Sequence, residues 1–161
     1  AEAYQLKEVC ARHQVPLIIN DSVEIALRCD ADGVHVGQSD IQGRDIRALI
    51  GPDKILGMTA RSVEEAQAAE KAGADYIGTG AVFGSTTKKN AKYMTPERLR
   101  EITASVNIPV VAIGGICLKN IDQLAGSGID GVAVVSGIFA EKDPGEATRL
   151  LVEKAKKVVL E

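Results

Sequence analysis

Pro16-Leu17-Ile18-Ile19-Asn20-Asp21 and Gly33-Val34-His35-Val36-Gly37-Gln38-Ser39-Asp40 share one pattern: a short apolar run, a polar exit, and an aspartate at or just beyond that exit. Buried parallel strands read as apolar runs bounded by turn residues, and α/β proteins bind ligands at the carboxyl ends of such strands. If the two runs are neighbouring parallel strands, Asp21 and Asp40 meet at one rim. Two carboxylates held together repel each other, and a hard divalent ion such as Mg²⁺, shared with a substrate phosphate, relieves that repulsion. Each aspartate alone also fits a helix cap or a turn.

The same run-and-turn rhythm continues in both directions. Ala1 to His13 carries Ala3, Leu6, Val9 and Cys10 at helical spacing and stops before Pro16, so the chain opens in a helix. A short helix is expected at Val23 to Leu27, and another from Ile41 to Ile50, ended by Gly51-Pro52. Lys54 to Met58 reads as the third strand. Ser62 and Glu65 make a capping-box pattern ahead of a helix striped by Val63, Ala66, Ala69 and Ala72. Ala74 to Gly80 is the fourth strand, and Ala81 to Thr95 is a long polar loop before Pro96 opens a helix. Pro109 to Ile113 and Gly131 to Val135 are the fifth and sixth strands, with helices expected at Lys119 to Ala125 and Glu146 to Val159. Six βα units in strict alternation imply a parallel sheet with right-handed crossovers in a single domain, residues 1–161.

Composition narrows the function. The net charge is -3, only 3% of the residues are aromatic and there is no Trp, so neither a basic footprint nor a stacking platform for nucleic acid is present. No apolar run is long enough for a membrane span. The 3 cysteines are odd in number and widely spaced, which argues against a disulfide framework or a zinc site and for a reducing cytoplasm. Small-molecule substrates are the expected partners.

Several segments offer groups suited to phosphate. Ser85-Thr86-Thr87-Lys88 presents three hydroxyls and an ammonium in succession, without P-loop spacing; an ordinary exposed polar loop has the same composition. Gly114-Gly115 after the fifth strand and Ser136-Gly137 after the sixth could bring backbone amides to a ligand, or serve only as turns. His35, inside a strand, is expected to be a packed or hydrogen-bonded core histidine.

In this order, Asn20-Asp21, Ala31-Asp32-Gly33-Val34-His35-Val36-Gly37-Gln38-x-Asp40, Gly80-x-Val82-Phe83-x-Ser85-x-Thr87-Lys88, Ala112-Ile113-Gly114-Gly115-Ile116 and Val134-Val135-Ser136-Gly137-Ile138 resemble the motifs of the thiamin phosphate synthase family. The resemblance runs across nearly the whole chain. It implies a TIM-type (β/α)8 barrel, of which six βα units are present here, and an alkyl-group transferase of thiamin biosynthesis. Such enzymes join hydroxymethylpyrimidine diphosphate and thiazole phosphate into thiamin phosphate, releasing diphosphate from a pyrimidine-stabilised cation. Residue by residue, it implies Asp21 and Asp40 as Mg²⁺ ligands and Asn20 as a contact to the pyrimidine diphosphate. Lys88 would sit on that diphosphate. Ser85, Thr87, Gly115, Val135 and Ser136 would surround the thiazole phosphate. Thr59 stands where the family has a serine near the pyrimidine, and keeps the hydroxyl.

Two departures shape the remaining expectations. Where the family carries a histidine after that serine, the run here is Thr59-Ala60-Arg61-Ser62, which counts against the related thiazole tautomerases. Two βα units expected before Ala1, including the segment that grips the pyrimidine diphosphate, have no counterpart, and Lys7 in the opening helix cannot replace it. Both outer strands should then be open edges prone to self-association, and the chain is expected to be a fragment with weak or no activity. The alternative is a non-catalytic phosphate-binding or regulatory relative of the same barrel.

Overall fold

The computed structural model describes residues 2–84 and 94–160. Helix α1 (Glu2–Arg12) leads into β1 (Ile18–Asn20), followed by α2 (Val23–Arg28), β2 (Gly33–Val36), α3 (Gln38–Ile41), α4 (Ile46–Ile50) and β3 (Ile55–Thr59). Then come α5 (Val63–Lys71), β4 (Tyr76–Gly80), α6 (Pro96–Ala104) and β5 (Val110–Ile113). A 3₁₀ turn (Ile121–Leu124), β6 (Gly131–Ala133), α7 (Ser136–Phe139) and α8 (Pro144–Leu160) complete the chain. The strands form one sheet in sequence order, every pair parallel, as the βα alternation requires.

Strand side chains alternate between two surfaces. One surface carries Val34, Val36, Leu56, Met58, Ile77, Val110 and Ala112, all buried in a common core with Ala66, Leu99, Ile102, Ile121 and Leu151 from the surrounding segments. A fully buried side chain the size of Leu56 or Ile77 contributes about 1.5–3 kcal/mol. The other surface carries Asn20, His35, Thr59, Tyr76, Gly78, Val111 and Ala133, and these residues line one cavity. Since all six strands contribute to that wall, the sheet is curled around it, a half-barrel of the TIM type. Among the described residues β1 and β6 each have one strand neighbour, so they end the sheet, as expected.

At the amino ends of the strands one device occurs three times. The amides of Asp32, Asp75 and Asp130 donate to the carbonyls of Leu17, Leu56 and Val110, at 2.9, 2.8 and 2.8 Å. Their carboxylates accept from the amides of those same residues, at 2.8, 2.7 and 2.8 Å. Each aspartate thus clasps the start of the preceding strand and fixes the register. Lys7 Nζ joins Asp32 Oδ1 at 2.8 Å and Arg47 Nη2 joins Asp75 Oδ2 at 2.6 Å, which ties helices to the same face. Lys7 is therefore occupied at the end of the sheet away from the strand exits, in agreement with its exclusion from the site.

Where the boundaries differ from expectation, local chemistry explains them. The helix expected from Ile41 to Ile50 is confined to α4 (Ile46–Ile50): Ile41 ends α3, Gln42 and Gly43 take positive φ, 47° and 74°, and Asp45 then caps α4 by accepting from the Ala48 amide at 2.9 Å. The expected helix at Lys119 to Ala125 shrinks to the 3₁₀ turn. There Asn120 accepts from the Cys117 amide at 2.8 Å and donates to the Gly115 carbonyl at 2.9 Å, diverting backbone groups that a longer helix would use. The box before α5 is half formed. Ser62 Oγ accepts from the Glu65 amide at 3.2 Å, while Glu65 Oε2 accepts from the Arg61 amide at 2.6 Å. Thr95 caps α6 ahead of Pro96, accepting from the Arg98 amide at 3.2 Å. No described helix is long and apolar enough to cross a membrane.

Candidate active site

The concave side of the sheet and its strand exits enclose a cavity of about 1020 Å³. Asn20, Asp21, Asp40 and Thr59, four residues singled out from the sequence, line it together. Asn20 is the last residue of β1. Asp21 follows with φ 67°, a left-handed conformation rare for a non-glycine residue, held by the hydrogen bond from its amide to the His35 carbonyl at 2.7 Å. Asp40 lies in the first turn of α3, where Oδ2 accepts from the Gly37 amide at 2.8 Å. The cap reading of Asp40 is thus realised, and it occupies only one of the two carboxylate oxygens.

Both carboxylates act on the same imidazole. Burial pushes the His35 ring below its ordinary pKa, while Asp21 and Asp40 pull the other way. Among the described residues no group of three or more His, Cys, Asp or Glu is arranged to hold a metal ion. A two-carboxylate site fits a hard ion that completes its shell with phosphate oxygens and water, and does not fit a closed zinc site.

His35 is hydrogen-bonded, as expected, but it faces the cavity instead of the helix-covered core. Nδ1 lies 3.0 Å from Tyr76 Oη, and Nε2 lies 3.0 Å from Thr59 Oγ1. Gln38 Nε2 donates to the Thr59 carbonyl at 2.8 Å. Tyr76, Gln38 and Arg61 are cavity residues that sequence reasoning missed. Tyr76 is brought there by the parallel register, which sets His35 beside Gly57 and Gly57 beside Tyr76, a relationship no single stretch of sequence carries.

Of the residues expected around a phosphate, Gly115, Val135 and Ser136 lie among the described residues. Gly114 lines the cavity, and Gly115 follows with φ 67°; a Cβ there would stand 2.4 Å from the Phe83 carbonyl oxygen. Ser136 opens α7, and a Cβ on the next residue, Gly137, would stand 2.4 Å from the Ile116 carbonyl oxygen. That close approach packs the first turn of α7 against the backbone of Ile116 and Cys117. Val135 is exposed at 67% and, like Gly115 and Ser136, is not part of the cavity wall. Ser85, Thr87 and Lys88 lie outside the described residues.

A family profile described as thiamine monophosphate synthase matches residues 1–138. The chain belongs to this family. Among the relatives of the thiamine monophosphate synthase family, a thiamine-phosphate synthase from Methanobrevibacter smithii is 49% identical over 154 residues, covering 96% of this chain and 74% of that protein. One from Ruminiclostridium cellulolyticum is 51% identical over 151 residues, covering 94% and 72%. A solved thiamine phosphate pyrophosphorylase from Pyrococcus furiosus superposes with TM-score 0.87 at 37% identity, over 98% of this chain and 78% of that one. In a thiamine monophosphate synthase scaffold the cavity described above is the natural candidate for the active site, because it lies at the carboxyl ends of the strands.

Proposed function

We propose that this chain is a thiamin phosphate synthase, transferring the hydroxymethylpyrimidine group from its diphosphate to thiazole phosphate. The observation that carries the reading is the assembly of Asn20, Asp21, Asp40 and Thr59 around one cavity in a chain of this family. In the reaction, the bond between the pyrimidine methylene carbon and the diphosphate oxygen breaks and its electron pair leaves with diphosphate. The thiazole nitrogen lone pair then forms the new carbon–nitrogen bond. Electrons balance without an oxidant or reductant, so the protein's task is to orient two substrates and stabilise charge.

Asp21 and Asp40 would hold Mg²⁺, which would neutralise negative charge on the departing diphosphate. What supports this assignment is that both carboxylates line the same cavity and that the Gly37 cap engages only one oxygen of Asp40. Asn20 would donate to the diphosphate and Thr59 would orient the pyrimidine ring. Lys88 would bring an ammonium to the leaving group. Ser85, Thr87, Gly115, Val135 and Ser136 would receive the thiazole phosphate through hydroxyls and backbone amides.

The test is formation of thiamin phosphate from the two substrates by this chain, with and without Mg²⁺, alongside Asp21→Ala. Weak, metal-dependent product that the substitution abolishes is the expected result, since the segment that grips the pyrimidine diphosphate in the family has no counterpart among these residues. A folded chain that binds phosphate but makes no product would overturn the synthase reading.

A further inference from the structure

The His35 ring is held in a slot built for it. A Cβ on Gly57 would lie 2.4 Å from His35 Nδ1 and 2.2 Å from Tyr76 Cζ, and one on Gly78 would lie 2.9 Å from His35 Cε1. No larger residue at either position leaves both rings where they are. The ring is tilted 36° to Tyr76 with centroids 5.4 Å apart, and its two nitrogens reach two hydroxyls, one on each side. A neutral imidazole has one donor and one acceptor, so the direction of one hydrogen bond fixes the direction of the other.

Donor strength chooses between the two directions. The Tyr76 phenol is a far stronger acid than the Thr59 alcohol and a poorer acceptor, because its lone pair is delocalised into the ring. Burial raises the Tyr76 pKa further, so the phenol keeps its proton at neutral pH. Tyr76 therefore donates to Nδ1, which puts the imidazole proton on Nε2, and Nε2–H donates to Thr59 Oγ1. The Thr59 proton is left free to point into the cavity.

We propose that His35, set by Tyr76, is a positioning residue that makes the Thr59 hydroxyl an obligatory donor, selecting a substrate ring with a nitrogen acceptor at that point. This rests on the synthase reading for the identity of the ring. It goes beyond it in naming which atom type Thr59 recognises and which residues enforce the choice.

Two experiments test it on the full chain. ¹⁵N NMR of the labelled imidazole reports the tautomer with no need for turnover. A protonated Nε2 and an unprotonated Nδ1 are expected, and the Nδ1–H form would overturn the proposal. Steady-state kinetics then compare the pyrimidine substrate with two analogues, each with one ring nitrogen replaced by CH. In the unmodified chain one analogue should lose about fivefold to tenfold in kcat/KM, the size of one hydrogen bond. In Tyr76→Phe that penalty should fall below about twofold, because the ring is then free to change tautomer, while the KM for thiazole phosphate stays the same. Discrimination that persists in a folded Tyr76→Phe chain would sink the relay. Absence of product from the unmodified chain would count against the synthase reading, with the tautomer still judged by NMR.

Discussion

Asp75, at the start of β4, holds the Leu56 amide at the start of β3, with Oδ2 2.7 Å from the nitrogen. The same oxygen meets Arg47 Nη2 at 2.6 Å. Asp75→Ala leaves that amide without its side-chain acceptor and should cost about 1–2 kcal/mol, with the half-exposed ion pair adding little. Asp75→Asn keeps an acceptor and should recover part of the loss. Urea unfolding of the three chains gives the ranking; equal midpoints for Asp75→Ala and the parent would refute the clasp.

The Asp32 clasp makes stability depend on acid. The Lys7 hydrogen bond and then the Leu17 amide hold this carboxyl below its ordinary value of 3.8. Its folded pKa is depressed, so its contribution is complete above the unfolded value and is lost as pH falls from there through the folded one. Asp32→Asn should therefore flatten the acid limb of a stability profile below about pH 4 and leave its shape near neutrality unchanged. An unaltered acid limb would show that the pairing is energetically silent.

Asp40 has two separable tasks. Asp40→Asn keeps a side-chain oxygen for the Gly37 amide but removes the charge, so stability should hold while the Mg²⁺ requirement rises by more than the roughly 10- to 100-fold that accompanies loss of a ligand-orienting group. Asp40→Ala should show the same metal defect and also lose about 1 kcal/mol through the missing cap. Titration of activity against Mg²⁺, together with melting curves, separates the two. A normal metal requirement in Asp40→Asn would remove Asp40 from the metal site.

Gly57→Ala adds a methyl that collides with both His35 and Tyr76. Overpacking of this kind costs about 1–3 kcal/mol, and the displaced rings should also lower synthase activity. The equivalent change at Gly131, where a Cβ would meet only the Val111 side chain at 3.8 Å, is a matched control expected to be mild. Melting temperature and kcat/KM for both chains decide the matter. Equal behaviour of the two would show that the slot is not specific.

Much of the site was legible because its residues sit at strand exits. Asp21 and Asp40 follow apolar runs, and a parallel sheet places such exits on one rim, so their meeting there followed once β1 and β2 proved to be neighbours. Boundaries were less legible. Within Ile41 to Ile50 the breaker Gly43 and the cap Asp45 were both present, but which apolar residues belong to a helix is settled only once Gln42 and Gly43 take positive φ and Asp45 caps Ile46–Ile50. The half-formed box at Ser62 has a similar cause, because the Glu65 carboxylate found the Arg61 amide instead.

By itself, the sequence determined the six-unit βα order and the motifs of the synthase family, because these depend on local periodicity and short-range turn chemistry. Only the tertiary structure decided what His35 does. Its partners Thr59 and Tyr76 are 24 and 41 residues away, and they meet it only because parallel register lines up β2, β3 and β4 with glycines between the rings. A histidine within a strand reads the same on either face of a sheet. Which face is the cavity wall is fixed by the curl of all six strands together, a property that no single stretch of the chain contains.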